Sequence, residues 1–151
     1  MAVLFLDTSA LIRRYDRTEP GADRVRALCR RNSGHSLVIA AVTPTEVASA
    51  LNRKRREGRF TQAQYAQVWR VFRGHCRQRY YVLQADEQIY QQAQRLLSTY
   101  VVRGYDALQL ASALGMARLV TSIPAEFRFC TADRAQAAAA GQEGLLVELI
   151  Q

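Results

Sequence analysis

Four acidic residues stand where their carboxylates could act together on one substrate: Asp7, Glu46, Asp106 and Asp133. Carboxylates that share a pocket repel one another and favour a bound cation. Ligation by oxygen alone, without Cys or His, suits Mg²⁺ or Mn²⁺. A divalent ion held in this way orients and deprotonates water and stabilises the charge that develops on a phosphodiester. The four acids therefore predict a metal site for phosphodiester chemistry.

Each acid also has a structural interpretation, because Asp and Glu are ordinary caps at helix N-termini. That role fits Glu46 and Asp133 as well as metal binding does, and it fits Asp106 less well. Asp7 is the hardest to explain by capping, since a carboxylate at the end of a buried strand is costly unless it is paired or bound to metal. The neighbouring hydroxyl residues are expected to orient the acids or to cap the local backbone; they are Thr8, Ser9 and Thr131.

Short apolar runs alternate with stretches of helical periodicity along the whole chain. Five runs predict strands, at 3–6, 37–42, 80–83, 127–131 and 145–149, and such continuous runs are typical of parallel strands buried on both faces. Helices are predicted near 9–15, 21–31, 43–58, from 61 onward, 87–100, 106–118 and 134–140. The fold class predicted for residues 1–151 is therefore α/β: a single three-layer α/β/α domain around a central parallel sheet of about five strands.

This fold would bring the acids to one edge of the sheet. Ligands of open parallel sheets bind beyond the carboxyl ends of the strands. Asp7, Glu46 and Asp133 each lie shortly after a predicted strand. Asp106 reaches the same edge if its helix begins there.

Helix starts are predicted by local capping patterns. Thr43 and Glu46 form one capping-box pattern, with Pro44 at the first helical position, and Thr61 with Gln64 forms a second. Asp86 is expected to cap the next helix, and Gly58 to end the helix that carries Glu46.

The charge balance favours a polyanionic partner, with nucleic acid first. The formal net charge is +8, and Lys54 is the only lysine among the basic residues. Arginine pairs bidentately with phosphate and stacks on bases, although a GC-rich genome, which encodes Arg in place of Lys, accounts for the same composition. No apolar stretch approaches the roughly 20 residues that a membrane span needs, and the apolar N-terminus has no basic leader. We therefore expect a cytoplasmic protein.

The cysteines and histidines do not form a recognisable reactive set. Cys29, Cys76 and Cys130 show no CxxC spacing, which argues against a disulfide framework or a zinc site. His35 and His75 lie in different segments, so we interpret them as surface or turn residues and not as a metal-free acid–base pair.

The residues around the four acids resemble the motifs of PIN-domain ribonucleases. Leu6–Leu11 is similar to the first motif, Thr45–Leu51 to the second, Arg103–Ala111 to the third and most specific, and Phe129–Asp133 to the fourth. The resemblance spans nearly the whole chain. One departure is the segment Ser122–Glu126, which lengthens the connection that leads into the fourth predicted strand. The chain's size resembles that of VapC-type toxins of toxin–antitoxin pairs.

This resemblance implies a function and a role for each acid. It implies Mg²⁺-dependent endonucleolytic cleavage of RNA, a homodimer, and a small antitoxin protein whose tail enters the acidic pocket. Asp7 and Asp106 would be the main metal ligands, Asp133 would complete the site, and Glu46 would bind metal directly or through water.

Arginines near the motifs are expected to hold RNA at the rim of the site, or else to form solvated helix faces. Arg103 is the strongest of these candidates, which are Arg13, Arg14, Arg53, Arg55, Arg56 and Arg103.

Two other functions fit part of the pattern. A phosphatase of the haloacid-dehalogenase type also places Asp after its first strand, but it needs a second Asp where this chain has Ser9. A non-catalytic RNA-binding module could share the PIN fold, although the presence of all four acids weighs against a decayed site.

Overall fold

The computed structural model describes residues 1–151 and contains a five-stranded sheet in which all neighbouring strands run parallel. The strand order is β3-β2-β1-β4-β5. The strands are β1 (Ala2–Leu6), β2 (Ser36–Ala40), β3 (Tyr80–Leu83), β4 (Glu126–Thr131) and β5 (Leu146–Leu149). The predicted parallel sheet of five strands is confirmed, and β2 ends two residues earlier than its apolar run.

Seven helices connect and cover the strands. They are α1 (Thr8–Leu11), α2 (Ala22–Leu28), α3 (Thr43–Arg56), α4 (Gln62–Gln78), α5 (Glu87–Thr99), α6 (Gly104–Val120) and α7 (Arg134–Gln142). The predicted helix at 9–15 is α1 followed by a 3₁₀ turn over Ile12–Arg14, and α6 begins two residues before Asp106. None of the helices combines the length and the hydropathy that crossing a membrane requires.

Alternate residues of the central strands enter two separate cores. In β1, Leu4 and Leu6 pack in the core formed with α1–α4, whereas Val3 and Phe5 pack in the core formed with α5–α7. This two-residue period follows from the pleat of a strand. Because both faces of β1 are buried, the three-layer α/β/α prediction is confirmed.

The only lysine is buried and joins α3 to the loop that follows the 3₁₀ turn. Lys54 Nζ donates to Asp16 Oδ2 at 2.7 Å and also to Glu19, and Lys54 and Asp16 are 4% and 3% exposed. Burial opposes ionisation of Asp16, but the hydrogen bonds from Lys54 and Thr18 outweigh it and hold the pKa of Asp16 below its ordinary value. This network fixes the loop after the 3₁₀ turn against α3. Asp7 lies just before α1 on the same segment of chain, and α3 carries Glu46.

One of the three predicted caps is wrong. Thr61 with Gln64 forms its capping box, and Asp86 accepts from the amide of Ile89 at 2.9 Å. The box predicted for Thr43 and Glu46 does not form: α3 begins at Thr43 without a side-chain cap. The side chains of Thr43 and Glu46 instead accept hydrogen bonds from α6, as described below.

Candidate active site

The pairing of β1 with β4 places Asp7 beside the carboxyl end of β4. Leu6 pairs with Cys130, and the amide of Asp7 donates to the carbonyl of Cys130 at 3.1 Å. Asp7 therefore leaves β1 at the level where β4 ends in Thr131, two residues before Asp133.

All four predicted acids line one cavity at this edge, which we call the acidic cavity. Its volume is about 970 Å³. α1 contributes Thr8 and Ser9 to its lining, and α3 contributes Glu46 and Arg53. The wall formed by α5 and the start of α6 is partly apolar, through Tyr90, Ala93, Leu97, Tyr105 and Leu108.

Asp7 is the most buried of the four acids. It is 3% exposed, and its Oδ1 accepts from Ser9 Oγ at 2.7 Å and from the amide of Ala10 at 2.9 Å. Its Oδ2 accepts from Thr131 Oγ1 at 2.5 Å. Burial, with a smaller contribution from the negative charge of Asp106, outweighs the three hydrogen bonds and raises the pKa of Asp7 to about 6. Asp7 therefore caps α1, and its negative charge is unfavourable because the carboxylate is buried.

Glu46 is held by a residue that the sequence analysis missed. Its Oε1 accepts from Thr8 Oγ1 at 2.9 Å and from Gln109 Nε2 at 2.7 Å. Gln109 is 1% exposed and also contacts Thr43 Oγ1 at 2.9 Å, which explains why the predicted capping box does not form. A polar residue three positions after Asp106, on a helix that is otherwise largely apolar, was the signal for Gln109.

Asp106 and Asp133 lie in or next to the first turns of α6 and α7. Asp106 Oδ2 accepts from the amide and from Nε of Arg103, both at 3.3 Å. Asp133 Oδ1 caps α7 by accepting from the amide of Gln136 at 3.0 Å, and Gln136 Nε2 donates to the carbonyl of Asp106 at 2.8 Å. The buried Gln136 therefore links the two helix starts.

The acids converge but do not form a ready-made metal site. No three Asp, Glu, His or Cys side chains are arranged to hold one metal ion. The donor set nonetheless fits a hard divalent cation, since it contains only oxygen. The hydrogen bonds to Glu46, Asp106 and Asp133 all involve one carboxylate oxygen, which leaves Glu46 Oε2, Asp106 Oδ1 and Asp133 Oδ2 without a partner. Repulsion among the acids is expected to keep them apart until a cation is present.

The predicted RNA-binding arginines occupy different environments. Arg103 has an 87% exposed side chain, so its ion pair with Asp106 does not plug the cavity. Arg53 also lines the cavity. The guanidinium of Arg13 donates hydrogen bonds to the carbonyls of Ser9 and Pro20. Arg55 and Arg56 lie at the end of α3, outside the cavity lining.

The structure excludes the turn alternative for His75 and leaves its side chain only partly exposed. It lies in α4, partly buried, and its Nδ1 is 2.7 Å from Tyr15 Oη. His35 precedes β2 and accepts from the amide of Ala2 at 3.2 Å. Neither histidine lines the acidic cavity.

Asp7→Asn is expected to stabilise the metal-free protein at pH 7. Folding raises the pKa of Asp7 from 3.8 to about 6, so the ionised carboxylate opposes folding above pH 6. This cost declines as the pH falls below 6 and is gone below 3.8, the unfolded value. The two pKa values correspond to at most about 3 kcal/mol at pH 7.

Urea unfolding in EDTA at pH 7 and pH 4 would measure this difference. The advantage of Asp7→Asn over the wild type should shrink as the pH falls, and Asp86→Asn, at the exposed cap of α5, should show no such advantage. A variant less stable than the wild type by an equal amount at both pH values would contradict the electrostatic account.

Comparison with known proteins agrees with this architecture. The PIN domain family model matches residues 4–141. No curated protein matches the chain significantly.

Solved structures share the fold at low sequence identity. VapBC2 from Rickettsia felis, bound to a DNA fragment from its promoter, has a TM-score of 0.64 at 10% identity, covering 99% of both chains. PAE2754 from Pyrobaculum aerophilum has a TM-score of 0.63 at 19% identity, covering 97% of this chain and 89% of that one. VapC20 from Mycobacterium tuberculosis, described as a sarcin–ricin-loop-cleaving toxin, has a TM-score of 0.60 at 16% identity, covering 90% and 94%. These likenesses concern the fold alone, whereas the family match spans most of the sequence: the chain belongs to the PIN domain family.

Proposed function

We propose that this protein is a metal-dependent endoribonuclease that acts as the VapC-type toxin of a toxin–antitoxin pair. The observation that carries the proposal is the convergence of Asp7, Glu46, Asp106 and Asp133 on one open cavity in a chain of the PIN domain family. Capping alone does not account for this convergence, because caps are needed wherever helices begin, whereas these acids come from four separate segments and face one space.

The chain's own residues would bind Mg²⁺ or Mn²⁺ through carboxylate oxygens. Asp7, Asp106 and Asp133 would be ligands, and Glu46 would bind directly or through water. When bound, the cation supplies Lewis-acid chemistry that activates water and neutralises charge on the scissile phosphodiester. Asp7 is the natural anchor, since a nearby positive charge lowers its raised pKa and removes the cost of its burial.

The surrounding polar residues would orient the acids. Ser9 and Thr131 hold the two oxygens of Asp7, and Thr8 with Gln109 holds one oxygen of Glu46. Fixing one oxygen of Glu46 leaves Oε2 to accept a proton from water or to contact the cation. Loss of such a hydrogen-bonded support typically costs about 10–100-fold in metal affinity or activity.

The rim of the acidic cavity suits RNA. Tyr90 and Tyr105 are 49% and 54% exposed there, and exposed aromatic rings stack on unpaired bases. Arg53 and Arg103 supply positive charge for phosphates at the same rim. The description of VapC20 as a sarcin–ricin-loop-cleaving toxin gives a precedent on the same fold.

The proposed biological setting follows from the toxin assignment. It comprises a homodimer, an antitoxin protein as partner, and a place of action in the cytoplasm with the RNA. Sedimentation of the isolated chain tests the homodimer, and co-purification with the product of a small neighbouring reading frame tests the antitoxin. A monomer at all concentrations, or no co-purification, would contradict the corresponding assignment.

Purified wild-type protein is expected to cut RNA internally with Mg²⁺ or Mn²⁺, to stop in EDTA, and to recover when either metal is restored. Asp7→Asn should lower the cleavage rate by more than about a hundredfold, since losing a ligand costs more than losing its support. Asp86→Asn is the matched control, because it makes the same change outside the acidic cavity.

Two outcomes of that assay would favour the rival functions. RNA binding without cleavage under any metal condition would favour a non-catalytic module. Hydrolysis of p-nitrophenyl phosphate with RNA left intact would favour a phosphatase. Undiminished cleavage by Asp7→Asn would contradict the assigned site.

Gln109→Leu is expected to raise the Mg²⁺ concentration needed for half-maximal cleavage by about tenfold or more, because Glu46 loses its amide donor. The measurement is a Mg²⁺ titration of the cleavage rate, with circular dichroism to confirm that the variant is folded. A folded variant with lower activity at all Mg²⁺ concentrations but an unchanged midpoint would exclude a positioning role.

A further inference from the structure

A second cavity, of about 680 Å³, takes half of its lining from arginine side chains. No Asp or Glu lines this cavity, and none of its arginines forms an ion pair. We call it the arginine pocket after six of its residues: Arg14, Arg17, Arg26, Arg30, Arg31 and Arg79. Like charges held together without a counterion destabilise the folded chain, so a bound polyanion would relieve this repulsion.

The arginine pocket lies away from the acidic cavity, towards the opposite edge of the sheet. Its residue Tyr15 has its Oη 2.5 Å from Oη of Tyr80, the first residue of β3, which marks the amino edge. α1 and the following 3₁₀ turn connect Asp7 at the carboxyl edge to Tyr15. At 1.5–2.0 Å per residue, these eight steps span roughly 12–16 Å.

Arg14 is held rigidly at the base of the pocket. Its Nη1 donates to Tyr80 Oη at 2.6 Å, and its guanidinium lies 5.5 Å from the ring centroid of Tyr80 and 5.8 Å from that of Tyr15. Arg79 Nη2 donates to the carbonyl of Cys29 at 3.2 Å. A guanidinium fixed in this way loses little further freedom when it pairs with an anion.

Three other arginines at the pocket are exposed and uncommitted. The side chains of Arg17, Arg30 and Arg31 make no hydrogen bond or ion pair within the chain. Their donors are therefore available to a ligand, while Arg14 and Arg79 provide a fixed base.

The surroundings of His75 show that the local field is positive. Burial, together with the charges of Arg14, Arg79 and Arg31, lowers the pKa of His75 to about 4. His75 is consequently neutral at pH 7 and hydrogen-bonded to Tyr15. The base of the pocket thus presents neutral aromatic groups beneath the arginine charges.

We propose that the arginine pocket binds phosphate groups, namely backbone phosphates of the RNA strand whose scissile bond lies in the acidic cavity. The identity of the polyanion rests on the proposed function, whereas the preference for phosphate rests on the pocket itself. Arginine pairs with phosphate bidentately. Nucleic-acid interfaces are much more positively charged than protein–protein interfaces, so six arginines without an acidic neighbour favour RNA over a protein partner.

The test measures binding of a fluorescent single-stranded RNA to the full chain in EDTA, in the Asp7→Asn background, across a series of NaCl concentrations. Arg30→Gln/Arg31→Gln removes two pocket charges without removing any hydrogen bond of the fold. Arg70→Gln/Arg77→Gln is the matched control, because both residues are exposed on α4 and do not line the pocket.

The pocket variant should bind RNA roughly tenfold more weakly at low salt and reduce the slope of log affinity against log salt by about 1.4, or about 0.7 per phosphate contact. The control should keep the parental slope. Equal slopes for the parent, the pocket variant and the control would overturn the proposal.

Two further probes separate the sources of the anion. Thermal stabilisation by inorganic phosphate that is lost in the pocket variant, with RNA affinity unchanged, would overturn the RNA assignment in favour of free phosphate. Poly-L-glutamate binding that depends on Arg30 and Arg31, with RNA affinity unchanged, would overturn it in favour of an acidic protein segment.

The outcome for the pocket is separable from the outcome for the nuclease. Wild-type protein that fails to cut RNA with Mg²⁺ would remove the proposed function. A reduced salt slope in Arg30→Gln/Arg31→Gln would still support the pocket as an RNA site in that case.

Discussion

A buried carboxylate at the carboxyl end of the central strand is the constraint to which the rest of this site is fitted. Asp7 cannot leave the interior, because the chain enters α1 at once and both carboxylate oxygens are held by Ser9, Ala10 and Thr131. Desolvation raises its pKa to about 6, so ionisation at neutral pH works against folding. A divalent cation is the partner that reverses this effect, which links the stability of the apo fold to the chemistry we propose.

The two cavities give the molecule an electrostatic polarity. Acids converge at the carboxyl edge of the sheet, and unpaired arginines converge towards the amino edge. Lys54, Asp16 and Glu19 fix the α1 segment, which connects the two, against α3. A strand of RNA could therefore be anchored by phosphate contacts at one site while another of its phosphates is presented to the acids at the other.

The sequence predicted the sheet and the grouping of the acids because both depend on strong, local signals. Continuous apolar runs identified five buried strands, and parallel strands necessarily end at a shared edge. Prediction from the sequence was wrong where a side chain bonds to a residue far away in the chain instead of to its local partner. Thr43 and Glu46 have the pattern of a capping box, but both side chains instead accept hydrogen bonds from Gln109, more than sixty positions away. The sequence did not predict the arginine pocket, because its residues come from segments whose proximity only the fold defines.

Anomalous diffraction from crystals of the wild-type protein soaked in Mn²⁺ would show whether these carboxylates share a divalent ion. We expect a peak within about 2.5 Å of an oxygen of Asp7 and of an oxygen of Asp106 or Asp133. Asp7→Asn crystals treated in the same way should lack this peak. A peak elsewhere in the molecule, or none in the acidic cavity at saturating Mn²⁺, would contradict a metal site shared by these carboxylates.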